Sequence, residues 1–311
     1  MPSIITHDYF GREFLSRSGL SSKWSKSQQE AYLLGNQGPD PFFYAVATPR
    51  FFHYLNIGSI IHDEKPTQFF STLLKCANEL STKEKATIQP YLLGFIQHYV
   101  LDSTVHPLVY FYEYSITKSE IYGLSDKDHS EIHSTIESEF DELVLYAKRG
   151  LTVKEFRPYQ DILKANKSTL DTVSKFFVDP IYECFERTIP YDLFAKSVQN
   201  FRLIQRIFYS PLGIKRKVLS TIEKRFRNHS FYSSMSHLSI KRTYCSFANE
   251  ERKEWINPFF GSIHTESFWD LFEQAQQKAL IVFEILPLIT TDPDKISLIT
   301  DGLNNSGKQV E

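Results

Sequence analysis

Two histidines and an aspartate follow one another at intervals of four residues: His98, Asp102 and His106. Because an α-helix turns once in about 3.6 residues, this spacing places His98 and Asp102 on one helical face, one turn apart. Residues 91–105 read YLLGFIQHYVLDSTV and are almost entirely apolar, so this helix is predicted to be buried. Burial of a carboxylate and imidazoles without partners is unfavourable. A zinc ion would be such a partner, and an imidazole–carboxylate hydrogen bond without metal is the alternative.

The other candidate ligands lie in four short segments of the first half of the chain. His133 and Glu137 are again four residues apart, on an amphipathic stretch. Asp40 lies between two prolines, which stiffen the backbone on both sides; an ordinary capped turn is the alternative. His7 and His62 are single histidines, each open to a purely structural role. Together with the first group they make five histidines and three acids without cysteine, a mixture typical of a hydrolytic zinc cluster.

Other histidines and other catalytic patterns carry less information. His129 and Asp141 extend the line of the His133 segment and are predicted to form an exposed polar stripe, and His53 is predicted to have no role. The chain has no GxxxxGK[ST], GxGxxG, GxSxG or HExxH motif. The three cysteines are widely spaced and odd in number, so no disulfide framework is expected.

The first candidate ligands require a long apolar helix. Ser81–Glu84 reads as a capping box that opens a short helix, and Pro90 fits the first turn of a new helix that runs from Tyr91 to about Val105. Because Pro107 disfavours helical backbone at the residue before it, this helix is expected to end or bend at His106.

Helices also dominate the rest of the chain. The segment with His133 is predicted to be a helix from Ser125 to about Lys148, with Gly150 as its C-terminal stop. GNQGPDP, residues 35–41, is predicted to be a loop. Further helical periodicity appears over residues 59–80, 167–187, 191–209 and 265–287. We therefore expect an all-α fold.

No linker rich in Pro, Gly or Ser divides the sequence. A single domain is expected over residues 1–300, with a metal-site half at 1–150 and a helical remainder at 151–300. The polar, basic stretch 227–254 reads as a surface excursion, and residues 301–311 as a flexible tail.

Composition excludes several classes of protein. Of 311 residues, 35 are basic and 37 acidic, a net charge of −2 that does not favour nucleic acid as a partner. No apolar run is long enough to span a bilayer, and the first residues lack the pattern of a secretory signal. A cytoplasmic location is expected on that basis. Seven of the ten histidines lie at or before His133, which again points to the first half as the functional region.

The combined set of segments resembles the zinc-dependent phospholipase C/D family. Five pieces carry the resemblance in the family's order, and WINPFFGSIHTESFWDLFEQA from Trp255 is similar to the closing segment of bacterial members. The five pieces are SIITHDYFGRE, GNQGPDPFFY, GSIIHDEKPTQFF, LLGFIQHYVLDSTVHP and HSTIESEFDEL. The resemblance implies a compact multi-helix domain of the phospholipase C and single-strand nuclease type, with two or three zinc ions in a cleft.

The resemblance also implies a role for each candidate ligand. Asp40 would lie between metals and orient the attacking water. His7 would bind a third zinc together with a shared Asp102, although the chain lacks the N-terminal tryptophan that completes this site in secreted phospholipases C. The remaining ligands would form two groups: His62, His98 and Asp102 on one zinc, and His106, His133 and Glu137 on another.

The implied activity is hydrolysis of a phosphate ester by metal-activated water. A phospholipase C-like phosphodiesterase acting on a phospholipid or a small phosphodiester is the first hypothesis, with peripheral membrane contact and no membrane-spanning segment. A nuclease or nucleotidase with a three-zinc site is one alternative, and a non-catalytic zinc-binding relative is another. The aromatic side chains after Asp40 (Phe42, Phe43 and Tyr44) would either line an apolar rim or pack in the core.

Overall fold

The computed structural model describes residues 3–119, 128–225 and 236–311. These residues are mostly helical, which confirms the predicted all-α fold. The sheet found among them is a two-stranded antiparallel hairpin of β1 (Trp255–Ile256) and β2 (Ile263–His264). Across the described ranges, none of the helices combines the length and the apolar composition needed to cross a bilayer.

The helices vary from single turns to more than ten turns, and all four periodic stretches noted above coincide with helices. In chain order the α-helices are α1 (Ile4–Arg17), α2 (Leu20–Lys23), α3 (Lys26–Gly35), α4 (Ile57–Asp63), α5 (Pro66–Glu79), α6 (Thr82–Lys118), α7 (His129–Arg149), α8 (Pro158–Asp161), α9 (Lys167–Phe176), α10 (Val178–Phe185), α11 (Leu193–Phe208), α12 (Ile214–Glu223), α13 (Phe268–Thr291) and α14 (Ser297–Thr300). Short 3-10 helices lie at Asp40–Ala47, Pro49–Tyr54, Ser246–Ala248 and Pro293–Ile296.

Local capping explains where two of the ligand-bearing helices begin or end. The predicted capping box of α6 is confirmed: the Ser81 amide donates to Glu84 Oε2 at 3.1 Å, and the Glu84 amide donates to Ser81 Oγ at 3.4 Å. Helix α7 ends as predicted at Gly150, whose φ of 62° lies in the left-handed region that glycine favours. Its predicted start at Ser125 lies outside the described residues.

Helix α6 is longer than predicted. It runs from Thr82 through Pro90 and Pro107 to Lys118, so the short helix predicted at Ser81 and the helix predicted from Tyr91 are one element, and the prediction of an end at His106 is wrong. A bend at His106 stays a prediction. An internal proline costs about 3 kcal/mol because one backbone hydrogen bond is lost. Each fully buried Leu, Val or Phe contributes about 1.5–3 kcal/mol, and the middle of α6 buries many of them, which offsets the two prolines. The three predicted ligands of α6 therefore share one continuous helix.

The chain forms two compact units, and each unit consists of three separate segments. The first unit comprises Met1–Tyr9, Val105–Ile162 and Leu203–Glu273. The second unit comprises Phe10–Thr104, Leu163–Arg202 and Gln274–Glu311. Both units draw on both predicted halves of the chain, because the chain passes between them within α1, α6, α11 and α13 and also between Ile162 and Leu163. The single domain expected from the sequence stays a prediction.

In the second unit, α3 and α6 cross at two glycines. A Cβ atom on Gly35 would lie 2.0 Å from the Tyr91 carbonyl oxygen, and one on Gly94 would lie 2.1 Å from the Tyr32 carbonyl oxygen. Only glycine permits backbones to approach this closely. The crossing brings the loop after α3 against the face of α6 that carries His98.

The C-terminal segment of the second unit differs from the flexible tail predicted for residues 301–311. Leu303 and Gln309 form an antiparallel bridge, and the Tyr99 hydroxyl donates to the carbonyl oxygens of Thr300 and Leu303 at 2.9 and 2.8 Å. The two contacts of Tyr99 join residues 201 and 204 positions apart in the chain, so no local pattern in the sequence reveals them.

In the first unit, the described residues 236–254 are not simply a surface excursion. His237 is buried, and its Nε2 lies 2.8 Å from Asp141 Oδ2. Arg242 pairs with Glu139 and Glu142, each at 2.8 Å. This segment therefore packs on α7, where the sequence alone indicates only a polar, basic stretch.

Candidate metal sites

The second unit brings three predicted ligands together. The ligand atoms of His62, His98 and Asp102 all lie within 4.8 Å of one another, and the three side chains are buried or nearly so. His98 Nε2 is 2.9 Å from Asp102 Oδ2, as the spacing of four residues on α6 predicts. Ligand atoms around a tetrahedral zinc are roughly 3.3 Å apart, given bonds of about 2.0–2.1 Å. This trio can therefore hold a metal ion.

Asp40 joins this trio from the start of a 3-10 helix. Its Oδ1 lies 3.1 Å from His62 Nε2 and 3.9 Å from His98 Nε2, and the side chain is buried. The second unit thus presents two carboxylates and two imidazoles around one point, which is the mixed donor set that the sequence predicts.

The backbone determines which nitrogen of each imidazole faces the carboxylates. His62 Nδ1 lies 2.7 Å from the Gly58 carbonyl oxygen, and His98 Nδ1 lies 3.1 Å from the Asn36 carbonyl oxygen. A carbonyl oxygen can only accept, so each Nδ1 carries the proton and donates it. Each Nε2 then presents a lone pair toward a carboxylate oxygen. Two acceptors at that distance require a cation between them, either a proton or a metal ion.

Gly38 permits the loop that contains Asp40 to approach His98. Its φ is 51°, and a Cβ atom at this position would lie 2.2 Å from the His98 ring. The GNQGPDP segment is thus a loop, as predicted, and its glycine is needed both for backbone conformation and for the space beside the imidazole.

Asn305 is a residue of this site that the sequence analysis misses. Its Nδ2 donates to Asp102 Oδ2 at 3.2 Å, and its backbone amide donates to the His62 carbonyl oxygen at 3.1 Å. Asn305 is buried and thereby contacts two predicted ligands from the C-terminal segment. Its position at the end of the chain, in a segment read as a tail, offers no signal of this role.

The first unit brings together the other predicted trio. The ligand atoms of His106, His133 and Glu137 all lie within 4.8 Å of one another. The Nε2 atoms of both histidines are 3.5 Å from Glu137 Oε1, close to the separation of roughly 3.3 Å expected around tetrahedral zinc. This trio can also hold a metal ion.

Glu113 orients His133 from the neighbouring helix. Its Oε2 lies 2.8 Å from His133 Nδ1, while its Oε1 lies 2.6 Å from His129 Nδ1. The carboxylate accepts from Nδ1, so Nε2 of His133 is turned toward Glu137. Neither Glu113 nor this role for His129 follows from the sequence pattern. The prediction that His129 belongs to an exposed polar stripe is therefore corrected.

The charges of the trio in the first unit are coupled. Burial lowers the pKa of His133, but the charge of Glu137 and the hydrogen bonds that the imidazole donates to Glu113 and Glu137 raise it above the ordinary value. For Glu137, burial raises the pKa, and the positive charge of the N-terminal amino group, followed by the neighbouring imidazoles, lowers it well below the ordinary value. The metal-free site therefore favours an imidazolium–carboxylate pair. A bound metal ion would take the place of the imidazolium proton that faces Glu137.

The N-terminal turn of α1 is held by α7 within the first unit. Asp141 accepts hydrogen bonds from the amides of Ile5 and Thr6 at 3.1 and 2.7 Å and is fully buried. The prediction that Asp141 belongs to an exposed polar stripe is therefore wrong. The Ser3 hydroxyl donates to Glu137 Oε1 at 3.1 Å. His7, the residue after Thr6, is buried. Its role as a ligand of a third metal stays a prediction.

The aromatic residues after Asp40 divide between core and site. Phe42 packs edge-on against Phe177, and Tyr44 stacks on Phe201, so these two belong to the core of the second unit. Phe43 lies 5.1 Å from the His62 ring, measured between ring centroids. Only this one of the three is placed to form an apolar wall beside the candidate ligands.

A second aromatic contact leads away from the trio of the first unit. The Tyr110 ring lies 5.2 Å from the His133 ring and 5.3 Å from the Phe259 ring. Phe259 lies in the turn between β1 and β2, within the WINPFFGSIHTESFWDLFEQA segment. This hairpin is therefore connected to the ligand helix through Tyr110.

No family model, no curated protein and no solved structure matches this chain.

Proposed function

We propose that this protein is a zinc-dependent hydrolase of phosphate esters, most similar in its chemistry to a phospholipase C. The observation that carries the proposal is the orientation of three imidazoles, one of them buried and two partly buried. His62, His98 and His133 each direct Nδ1 at a backbone or carboxylate acceptor and Nε2 at a carboxylate oxygen. Metal-binding histidines have this arrangement, because the partner of Nδ1 determines the tautomer and the direction of the ligating nitrogen.

The donor set favours zinc among the common metals. Imidazole nitrogen and carboxylate oxygen are the ligands of catalytic zinc sites, whereas calcium and magnesium prefer oxygen alone. Both trios combine the two donor types, and neither includes any of the three cysteines. When bound, zinc supplies a hydroxide nucleophile at neutral pH and stabilises negative charge on a phosphoryl oxygen.

The residues of the chain contribute orientation and proton handling. Asp40 Oδ1 lies 3.1 Å from His62 Nε2, and we assign this carboxylate the role of holding the attacking water and accepting its proton. Helix α6 positions both His98 and Asp102, and the side-chain amide of Asn305 holds Asp102 through a hydrogen bond to Oδ2. Phe43 excludes water from one side of His62.

A direct experiment tests the enzyme assignment. The purified protein is analysed for bound zinc and assayed with p-nitrophenyl phosphorylcholine, a chromogenic phosphodiester. We expect at least one zinc per chain and turnover that a chelator abolishes. Less than one zinc per chain, together with no activity on any phosphodiester, would refute the proposal. Zinc without activity would support the non-catalytic alternative.

A panel of substrates separates the phosphodiesterase from the nuclease alternative. Phosphatidylcholine, a dinucleotide and a nucleotide monoester are compared under the same conditions. We expect the phospholipid or the small phosphodiester to be preferred, because the near-neutral chain offers little general attraction for nucleic acid. A preference for the dinucleotide would favour the nuclease.

A matched pair of variants tests the role of Asp40. Asp40→Asn keeps the size of the side chain but removes its charge, so we expect turnover to fall about 100-fold or more, within the range of general-base effects. Asp171→Asn changes an exposed aspartate of the same unit and is expected to leave turnover unchanged. Equal turnover in the two variants would remove Asp40 from the mechanism.

A further inference from the structure

Helix α12 of the first unit presents an exposed apolar stripe. Ile214, Val218 and Ile222 are 63%, 54% and 52% exposed. They are four residues apart, so their directions around the helix axis span only about 80°. Water contact with a continuous aliphatic stripe is unfavourable, and such a surface typically marks a site of interaction.

The chain before α12 extends the same feature. Leu212, in the turn that precedes α12, is 76% exposed. Leu203 and Ile207, one turn apart at the end of α11, are also exposed. We call residues 203–225 the basic–apolar segment, and all of it lies in the first unit and is described by the structure.

The charge of this segment is opposite in sign to that of the chain as a whole. It contains six basic residues and one acidic residue, whereas the chain carries a net charge of −2. The helical periodicity places Lys215 on one side of the α12 stripe and Lys217 on the other. The acidic residue, Glu223, is buried. The exposed surface therefore combines aliphatic side chains with positive charge.

These two properties select one kind of partner. A helix with aliphatic residues on one face and lysines beside them lies in the interface of an anionic bilayer, with the apolar face among the acyl chains and the ammonium groups at the headgroups. A second copy of the same surface is disfavoured, because two segments of the same positive charge repel each other. The helix is also far too short to span a bilayer.

We propose that the basic–apolar segment is a docking surface for a membrane that contains anionic phospholipid. The inference goes beyond the proposed hydrolase activity and does not depend on bound metal. It concerns the face by which the protein meets a lipid surface, whichever bond the candidate metal sites act on.

Vesicle sedimentation tests the docking surface. The 311-residue chain is mixed, in the presence of EDTA, with vesicles of phosphatidylcholine alone or with about one third phosphatidylglycerol. We expect the chain to sediment with the anionic vesicles, to bind phosphatidylcholine alone at least 10-fold more weakly, and to be released by high salt, because the electrostatic attraction is screened.

Two variants address the two properties separately. Val218→Asp places a charge in the stripe, and the double variant Lys215→Glu with Lys217→Glu reverses the flanking charge. Each basic residue strengthens binding to an anionic surface about fivefold. We therefore expect the double variant to bind at least roughly 25-fold more weakly than the unchanged chain. All three changed positions are on the surface, and circular dichroism confirms that the variants are folded.

Matched controls change exposed residues elsewhere in the chain. Leu298→Asp alters an exposed leucine of α14, and Lys26→Glu alters an exposed lysine of α3. Both are expected to bind as the unchanged chain does. Equal binding of Val218→Asp and Leu298→Asp would overturn the inference, as would equal affinity for the two kinds of vesicle. Binding to soluble polyglutamate without binding to vesicles would also overturn it, in favour of an acidic protein partner.

Discussion

At the scale of single residues, the direction of each imidazole is more informative than its presence. His62 and His98 donate from Nδ1 to backbone carbonyls, whereas His133 donates to a carboxylate. In each case the structure leaves Nε2 directed at an acidic side chain. These three orientations are why the trios are candidate metal sites and not isolated hydrogen bonds.

Glu113 provides the sharpest test at this scale. Glu113→Gln removes the negative charge that two histidines share, so His133 loses its strongest orienting partner. Changes to groups that orient a metal ligand typically weaken metal binding about 10- to 100-fold, and we expect a loss of that size at the first unit. Competition with a chromophoric chelator measures the zinc affinity.

The control for this variant is Glu251→Gln, which changes an exposed glutamate of the same unit. It is expected to leave the zinc affinity unchanged. Identical affinity of the two variants would mean that Glu113 does not orient His133 for metal binding.

The cysteines yield a second prediction at the residue scale. Burial, followed by the nearby charge of Glu183, raises the pKa of Cys76 to about 12. Burial raises the pKa of Cys184 to about 11, and burial with the charge of Glu139 raises that of Cys245 to about 12. The thiolate is the reactive form, so less than about 1% of each thiol is reactive at pH 8.

We therefore expect dithiobis(nitrobenzoate) to react slowly with the native protein and rapidly with three thiols after denaturation. Rapid, stoichiometric reaction of the native chain at pH 8 would contradict the raised pKa values. Slow reaction after denaturation as well would show that the thiols are blocked and not merely protonated.

At the scale of elements, α6 and the C-terminal segment together determine the trio of the second unit. Helix α6 provides His98 and Asp102 on successive turns, and α4 provides His62. The segment after α14 then places Asn305 against both Asp102 and the backbone of His62. A segment read from the sequence as a tail thus contributes to the geometry of the site.

The contribution of this segment is tested with Asn305→Ala. The variant removes the donor to Asp102 Oδ2, so the carboxylate is free to rotate and its metal binding is expected to weaken about 10- to 100-fold. Zinc affinity is measured by chelator competition, and the visible spectrum of the Co²⁺-substituted protein reports whether the coordination changes.

Gln309→Ala is the matched control, because the Gln309 side-chain amide donates to the carbonyl oxygens of Asp301 and Glu311 within the same segment. A similar loss of zinc affinity in both variants would indicate general loosening of the segment and contradict a specific role for Asn305. An unchanged Co²⁺ spectrum and affinity in Asn305→Ala would also contradict it.

At the scale of the whole molecule, charge is distributed unevenly. The net charge of the chain is near zero, yet residues 203–225 are strongly basic and both candidate metal sites are rich in carboxylates. The net charge of the whole chain therefore conceals local concentrations of charge. It does not by itself exclude an anionic partner at the basic–apolar segment.

The stability of the metal-free protein is expected to depend on pH through the first-unit trio. His133 has a raised pKa, so its contribution is complete below its ordinary value of 6.5 and is lost as pH rises through the raised value. Glu137 has a lowered pKa, so its contribution is complete above its ordinary value of 4.5 and is lost as pH falls through the lowered value. The pair therefore stabilises the metal-free protein most between the two ordinary pKa values, 4.5 and 6.5.

Zinc should have the opposite preference, because it binds His133 only in the deprotonated form. We expect the increase in melting temperature caused by zinc to be larger at pH 8 than at pH 6, and scanning calorimetry with and without zinc measures it. In His133→Ala this dependence on pH should be reduced. An increase that is the same at both pH values would contradict competition between proton and metal at this site.

The all-α fold, the capping box at Ser81–Glu84 and eight candidate ligands could all be predicted from the sequence, and the structure brings seven of those ligands together in two groups. These features are local: helical periodicity and caps depend on residues three or four positions apart. Only the folded chain reveals the continuity of α6 through its prolines, the acceptors that orient His98 and His133, and the contact of Asn305 with Asp102. The partners in these three contacts are 62, 20 and 203 positions apart in the chain, and the helix tolerates its prolines because of burial in the packed core, so no local pattern encodes these features.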